Sequence, residues 1–210
     1  MSHADVIDHL AGIEPGTPLD AVRSARPEAR SQAQASFDAL FTPLDAGTFD
    51  LVERWAVATV VTAFHGEPSA GAAAFYHQQL VESGAAPSLV DAVTAAAQAG
   101  VTEGPYGSFP AGPLSGEDTH GLHLAIDEPL RSRLGERLAA AVEHVHLLVF
   151  RPRDSSSEAL TRLEDAGWSV DDIVTLSQEV AFLTFQVRVV AGLGTLLATP
   201  AAADLSGSIR

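Results

Sequence analysis

The sequence contains no cysteine, no lysine and no asparagine among its 210 residues. Without cysteine the chain cannot use disulfides, Fe–S clusters, thiolate zinc sites or thiol peroxidase chemistry. Without lysine it has no Schiff-base nucleophile, no covalent pyridoxal attachment and no phosphate-binding-loop lysine. All 12 basic residues are arginine. Because lysine and asparagine codons are AT-rich, a GC-rich genome accounts for both absences.

Positive charge is scarce as well, since 27 acidic residues oppose 12 arginines and the formal net charge is −15 at pH 7. A surface this acidic repels phosphate backbones and anionic lipids, which predicts no nucleic-acid partner and no membrane partner. The hydrophobic fraction is 46%, and a chain of this size buries about 70% of its unfolded surface. The length fits one large domain or two small ones.

Long hydrophobic runs are limited to residues 180–198 near the C-terminus. Gln186 and Arg188 interrupt the middle of this run, and an arginine at mid-bilayer costs about 3 kcal/mol on insertion scales. The run therefore predicts a buried helix or a subunit interface. The N-terminus lacks a basic segment followed by an apolar one, so no signal peptide is expected and the predicted location is cytoplasmic.

Residues 1–48 are predicted to form a helical N-terminal extension. Thr17 and Pro18 are typical of a helix N-cap and first position. Pro27 opens a second helix, which should end before Pro43. One face of that helix is apolar, and its predicted members are Phe37, Leu40, Phe41 and Leu44.

The core is predicted to span residues 49–200 as two helical halves, residues 50–100 and 128–198, joined by a Gly/Pro-rich loop at 100–127. In the first half, Asp50 and Glu53 have the spacing of a capping box, Gly84 ends the second helix, and a third helix runs to Gly100. Within the loop, residues 119–127 alternate weakly and could be extended.

In the second half a helical region follows Asp127, a capping box is predicted at residues 155–158, and the last long helix begins at residues 169–172. Residues 201–210 are expected to be a flexible tail. The two halves also share a sequence repeat, because six residues recur 83 positions later. The first set is Glu53, Arg54, Ala56, Ala58, Leu80 and Gly84, and the second is Glu136, Arg137, Ala139, Ala141, Leu163 and Gly167.

Two segments carry a family resemblance: ERWAVATVVTAFHG with AFYHQQLVESG, and ERLAAAVEHVHLLVF with the following residues to AGWSVDDIVTLSQEVAFLTFQVRVVAGLG. Over residues 50–198 the chain resembles the carboxymuconolactone decarboxylase / alkylhydroperoxidase AhpD superfamily, in its peroxidase-related branch. The resemblance implies an AhpD-like all-α bundle and an obligate oligomer. It also implies a C-x-x-C-x-x-x-H motif at the start of the second core helix, with a nearby glutamate that relays protons.

This chain departs from that motif. With the motif histidine placed on His77, the cysteine positions hold Ala70 and Ala73. The segment from Gly66 is three residues longer than the usual spacing, and the relay glutamate falls near Trp55, two residues from Glu53. The resemblance therefore predicts a cysteine-less member that cannot use the family's thiol mechanism.

His65 and His77 are the first candidate catalytic residues, as an acid–base pair facing a pocket between the two core helices. Tyr76 and Glu67 are adjacent candidates. The alternative is that the histidines are a helix-end residue and a satisfied core residue. With no cofactor predicted, the expected function is non-thiol acid–base chemistry on a small organic molecule. The alternative function is that of a non-catalytic homo-oligomeric partner or ligand-binding protein.

A third hypothesis is a His/carboxylate metal protein. Glu143 and His146 have the Glu-x-x-His spacing of di-iron bundles, Glu117 and His120 repeat it, and His123 follows. A metal site needs three or four converging ligands, and the inward glutamates of a di-iron bundle are not evident. The prediction is therefore that no metal binds. Arg188 is expected to be a buried ion-pair partner, across a subunit contact, or an anion-binding group.

Overall fold

The structure, a computed structural model, describes residues 5–198. Over that range the chain forms ten α-helices and three short 3-10 helices, with no β-strand, which confirms the predicted all-α class. The predicted flexible tail lies outside the described residues. The α-helices are α1 Val6–Ala11, α2 Pro18–Ser24, α3 Pro27–Phe41, α4 Leu51–Phe64, α5 Ala70–Glu82, α6 Pro87–Ala99, α7 Glu128–Leu134, α8 Glu136–Phe150, α9 Ser157–Asp165 and α10 Val170–Ala198.

Ion pairs join the first three helices. Arg23 contacts Asp5 and Asp8 at 2.8 Å each, and Arg30 contacts both of these carboxylates and Asp20. The apolar start of α1 is fully buried, and α1 packs against α5 and α10. The N-terminal segment therefore shares one hydrophobic core with the rest of the described chain.

Helix α3 spans the residues predicted for it. Pro27 occupies its first turn, and the helix ends at Phe41, before Pro43. Phe37 and Phe41 are buried, as expected for its apolar face. The assignment of Leu44 to that face was wrong, because Leu44 follows the end of the helix and is fully exposed.

Helix α4 is the centre of the bundle and packs against α5, α6, α8 and α10. Asp50 caps it by accepting a hydrogen bond from the backbone N–H of Glu53 at 2.9 Å. The other half of the predicted capping box is absent among the described contacts, because the Glu53 carboxylate accepts from Arg137 of α8 instead. Nearly every residue from Arg54 to Phe64 is buried, as its all-round apolar sequence predicts.

The second half differs from prediction in two details. Gly135, at φ +80°, separates α7 from α8 where one continuous helical region was predicted. Ser156, one residue later than predicted, caps α9 through the N–H of Ala159. The predicted extended segment at 119–127 is reduced to one isolated bridge between Gly107 and Thr119.

Helix α10 is 29 residues long, and by length and composition alone it would suffice to cross a membrane. A core helix of a soluble protein passes the same test. In this fold α10 buries Leu176, Leu183 and Val187 and packs against α1, α3, α4, α8 and α9. It therefore supplies one wall of the bundle for most of its length.

Candidate functional site

Tyr76, one of the predicted catalytic residues, lies inside the bundle rather than in an open pocket. Its ring is fully buried and contacts Phe41 and Trp55, with ring centroids 5.5 and 6.0 Å away. Its hydroxyl donates a 2.6 Å hydrogen bond to Oε1 of Gln186 on α10. Burial raises the pKa of Tyr76 well above its ordinary value, with Glu179 adding to the shift and Gln186 opposing it. The phenol is therefore a neutral donor.

Glu179, on α10, is wholly buried. Neither of its carboxylate oxygens has a hydrogen-bond partner among residues 5–198. Burial raises its pKa well above the ordinary value, although the positive charge of Arg54 opposes the shift. Burial therefore favours the protonated form of the Glu179 carboxyl group over the charged form.

Tyr76, Glu179 and Gln186 together form what we call the α5–α10 polar cluster. The two α10 residues are seven positions apart and therefore face the same side of the helix. The Nε2 atom of Gln186 also has no hydrogen-bond partner in the described part of the chain. Buried polar groups without partners are costly in a core, and such groups often mark functional sites.

A groove between α3 and α10 has a volume of 540 Å³, and its lining includes Gln178, the chain neighbour of Glu179, but none of the three cluster residues. Arg54 lines it, and Thr175 and Phe182 lie one turn before and one turn after Glu179 on the groove side of α10. The guanidinium of Arg54 donates to the backbone carbonyls of Leu40, Ala46 and Phe49. Those bonds hold the positively charged guanidinium in place in the lining of the groove.

His65 ends α4, and its Nε2 atom lies 3.2 Å from Oγ1 of Thr184 on α10. Partial burial lowers the pKa of His65, and the positive charge of Arg188 lowers it further. The imidazole is therefore a neutral group at the α4–α10 contact. Arg188 itself is exposed and makes no ion pair within the described range.

The remaining two predicted catalytic residues have weaker structural support. His77 is half-buried on α5, and Glu67 is exposed in a short 3-10 helix, Glu67–Ser69. No hydrogen bond or ring contact within residues 5–198 joins any two of the four predicted residues, and none of the four lines a cavity described here. Of the four, Tyr76 and His65 lie within hydrogen-bond distance of α10 side chains in the described residues.

The candidate metal ligands are dispersed. No group of three or more histidine or acidic side chains with metal-binding geometry occurs in the described residues. The Glu143 carboxylate accepts from Arg131 and from the N–H of Ile126. His146 is buried with its ring against Phe64 and Phe150. Neither ring nitrogen has a hydrogen-bond partner among residues 5–198.

Other candidate ligands, Glu117, His120 and His123, are in the loop that joins the two halves, where the side chains of both histidines are exposed.

Two functional candidates, Glu179 and Gln186, were missed from sequence. The signal that could have found them is a pair of polar residues seven positions apart within an otherwise apolar helix. Such spacing places both on one face, and burial of that face makes them unusual.

Comparison of this chain with protein-family models, with characterised proteins and with solved structures finds no match. Function must therefore be argued from the residues and their geometry.

Proposed function

We propose that this protein is a thiol-free, AhpD-like helical protein that transfers protons to and from a small organic acid, using the α5–α10 polar cluster and the adjoining α3–α10 groove. The observation that carries the proposal is Glu179, a fully buried carboxyl group with no hydrogen-bond partner in the described chain. Its neighbours are the phenol of Tyr76 and the fixed charge of Arg54.

The family resemblance supports the placement of this chemistry. The resemblance puts a relay glutamate near position 55, but Trp55 stands there and stacks on Phe41, 4.4 Å between ring centroids. Trp55 also contacts Tyr76, the residue whose electrostatic neighbour is Glu179. In our proposal α10 supplies the carboxyl group that α4 lacks.

Helix boundaries support the proposed two-half architecture. Helices α5 and α9 end at Glu82 and Asp165, and helices α6 and α10 begin at Pro87 and Val170. Both pairs are separated by 83 positions, which is also the offset of the repeated residues. This correspondence favours two related helical units.

The proposed chemistry needs no redox group. A carboxylate substrate that loses CO₂ leaves an electron pair on carbon, and protonated Glu179 donates a proton to that carbon. The Glu179 carboxylate then regains a proton from water. Arg54, in the groove lining, attracts the substrate's carboxylate. Correctly placed acid–base groups contribute about 10²–10⁴-fold to the rates of such reactions.

A screen of β-keto carboxylates and carboxylated lactones in D₂O tests this function. Proton NMR would follow decarboxylation of the substrate and deuterium incorporation at the carbon that carried the carboxylate. We expect turnover by the wild-type protein, and a loss of about a hundredfold in the Glu179→Gln variant, which keeps the shape but not the proton. Glu128→Gln, the same change at an exposed carboxylate of α7, is the matched control.

Two further variants test the roles of the two predicted histidines. His65→Gln should lower turnover if the α4–α10 contact shapes the site. His77→Ala tests the family-derived role of His77, and full activity of that variant would remove His77 from the mechanism. Equal turnover by Glu179→Gln and Glu128→Gln would show that the proposal is wrong.

A second candidate function is that of a non-catalytic homo-oligomer, with a second copy of this chain covering α10. Phe185 is 48% exposed and Val174 is 51% exposed, and both lie on the solvent face of α10. Exposed apolar side chains along one helix are typical of subunit contacts. Light scattering should show an oligomer that Phe185→Glu dissociates and that Val22→Glu, on exposed α2, leaves intact. A monomeric wild-type protein would contradict this candidate.

A further inference from the structure

A second, smaller cavity lies on the far half of the bundle, between the loop that follows α6, helix α8 and helix α9. Its volume is 210 Å³, equal to about seven molecules of liquid water. That size is below the range of drug-sized pockets, about 300–1,000 Å³. The residues that line it are His123, Leu124, Ala125, Ala140, Glu143, His144, Leu147, Arg151, Ala159 and Arg162.

Two arginines give this cavity a positive charge in a protein whose net charge is −15. Arg151 has an acidic neighbour, Asp154, but at 3.7 Å the contact is long. Arg162, at the exposed mouth, interacts with Glu158 on the same helix. These acidic groups reduce the positive electrostatic potential of the two arginines in the cavity without cancelling it.

The one carboxylate that lines the cavity, that of Glu143, already accepts hydrogen bonds from other residues. Glu143 accepts hydrogen bonds from Arg131, at 2.5 Å, and from the N–H of Ile126, at 2.8 Å. Its charge is therefore balanced by a guanidinium on α7. An anion in the cavity would meet this balanced pair rather than a bare carboxylate.

In the described chain, one buried donor of the cavity lacks a partner, and a histidine beside it makes no hydrogen bond. The Nε atom of Arg151 is buried and makes no hydrogen bond within the described residues. His144 is 6% exposed, lines the cavity, and makes no hydrogen bond within residues 5–198. Buried donors in native proteins are nearly always satisfied by protein, water or ligand. Here Arg151 is such a donor, and it lines the same cavity as His144.

The loop walls of the cavity are held in place without a ligand. The ring of Tyr106 stacks on Phe150, and its hydroxyl donates to the carbonyl of Leu122 at 2.5 Å. The N–H of Tyr106 also donates to the carbonyl of Phe150. A wall that is ordered beforehand lowers the entropy cost of binding.

From these observations we propose that the cavity between the loop, α8 and α9 is a binding site for a small oxyanion, a carboxylate or a phosphate, held by Arg151, Arg162 and His144. Planar guanidinium groups match two oxygens of such an anion at once. The small volume excludes large ligands. The site is separate from the α5–α10 polar cluster and does not depend on the function proposed there.

Calorimetric titration of the full chain with sodium phosphate and with sodium succinate, at low ionic strength and pH 7, tests this site. We expect saturable binding of one anion per chain. Whichever probe binds more tightly assigns the site to phosphate or to carboxylate. Arg162→Gln should weaken binding about tenfold, the usual effect of losing a charge-assisted hydrogen bond.

Arg133→Gln is the matched control, since it removes the same charge from an exposed position outside the cavity. Arg151→Gln should weaken binding further, and Arg162→Gln, at the mouth, remains decisive if the Arg151 variant does not fold. Glu179→Gln should bind the anion as the wild type does, which separates this site from the proposed function. Absence of saturable binding, or equal losses in the Arg162 and Arg133 variants, would overturn the proposal.

Discussion

The hydroxyl of Tyr76 and the side-chain carbonyl of Gln186 are 2.6 Å apart in a core where both residues are fully buried. This bond joins α5 to α10, and it is the only hydrogen bond that either side chain makes in the described structure. Its removal should therefore show how much α10 depends on polar contacts.

Tyr76→Phe leaves the carbonyl of Gln186 buried without a donor. We expect the free energy of unfolding to fall by about 1–3 kcal/mol, the usual cost of an unpaired buried polar group. Urea denaturation followed by circular dichroism would measure it. The double variant Tyr76→Phe with Gln186→Leu removes both partners and should recover part of the loss. Additive losses would show that the two side chains are not coupled.

Glu179→Gln should stabilise the protein increasingly as pH rises. Burial raises the folded-state pKa of Glu179, so folding takes up a proton above the unfolded pKa, near 4.5. The wild-type protein should therefore lose about 1.4 kcal/mol per pH unit from that point until the folded pKa is passed. The Gln variant lacks this dependence, and denaturation at several pH values above 5 would measure the difference. A constant difference across pH would contradict the assigned burial.

Two buried histidines should make the protein less stable in acid. Burial lowers the pKa of both His144 and His146 from 6.5 to about 4, with nearby arginines adding to the effect. Between the unfolded pKa of 6.5 and the folded pKa of about 4, the unfolded chain binds more protons than the folded one. The free energy of unfolding is therefore highest above pH 6.5 and falls as the pH drops toward 4. His146→Met should be more stable than wild type at pH 5, by up to about 2 kcal/mol. At pH 8 the histidine is uncharged in both the folded and the unfolded protein, so this gain should disappear.

Arg137 should be among the most important surface-facing residues for stability. It pairs with Glu53 at 2.9 Å and with Asp172 at 3.2 Å, and it lies 4.1 Å over the ring of Trp168. Arg137→Ala leaves both carboxylates without this partner, which should cost about 2–3 kcal/mol. Thermal and urea denaturation would measure the loss. Arg133→Ala, at an exposed position of α7, should change stability by less than about 0.5 kcal/mol.

Local signals in the sequence predicted helix ends well because caps depend on neighbouring residues. Thr17 accepts from the N–H of Asp20, Asp127 caps α7, and Ser169 stands at the start of α10. Pro27 begins α3 and Gly84 adopts φ +85° after α5. Each signal depends only on residues near it in sequence, so the chain supplies it without its tertiary neighbours.

Prediction was less complete where a side chain had a distant alternative. Glu53 has the right spacing for a capping box, yet its carboxylate binds Arg137, which is 84 residues away. Gly135 divides what was predicted as one helical region. The candidate site shows the same limit, since Tyr76 was selected for its neighbours in sequence, but its partner Gln186 is 110 residues away.

The sequence by itself determined the all-α class, most helix boundaries and the absence of thiol chemistry, because periodicity, caps and composition are local properties of the chain. Only the tertiary structure decided which polar groups lose water together. It placed Glu179 beside Tyr76 and Arg54, and His144 beside two arginines in a separate cavity. Desolvation depends on what packs around a group, and packing brings together residues that no spacing rule connects.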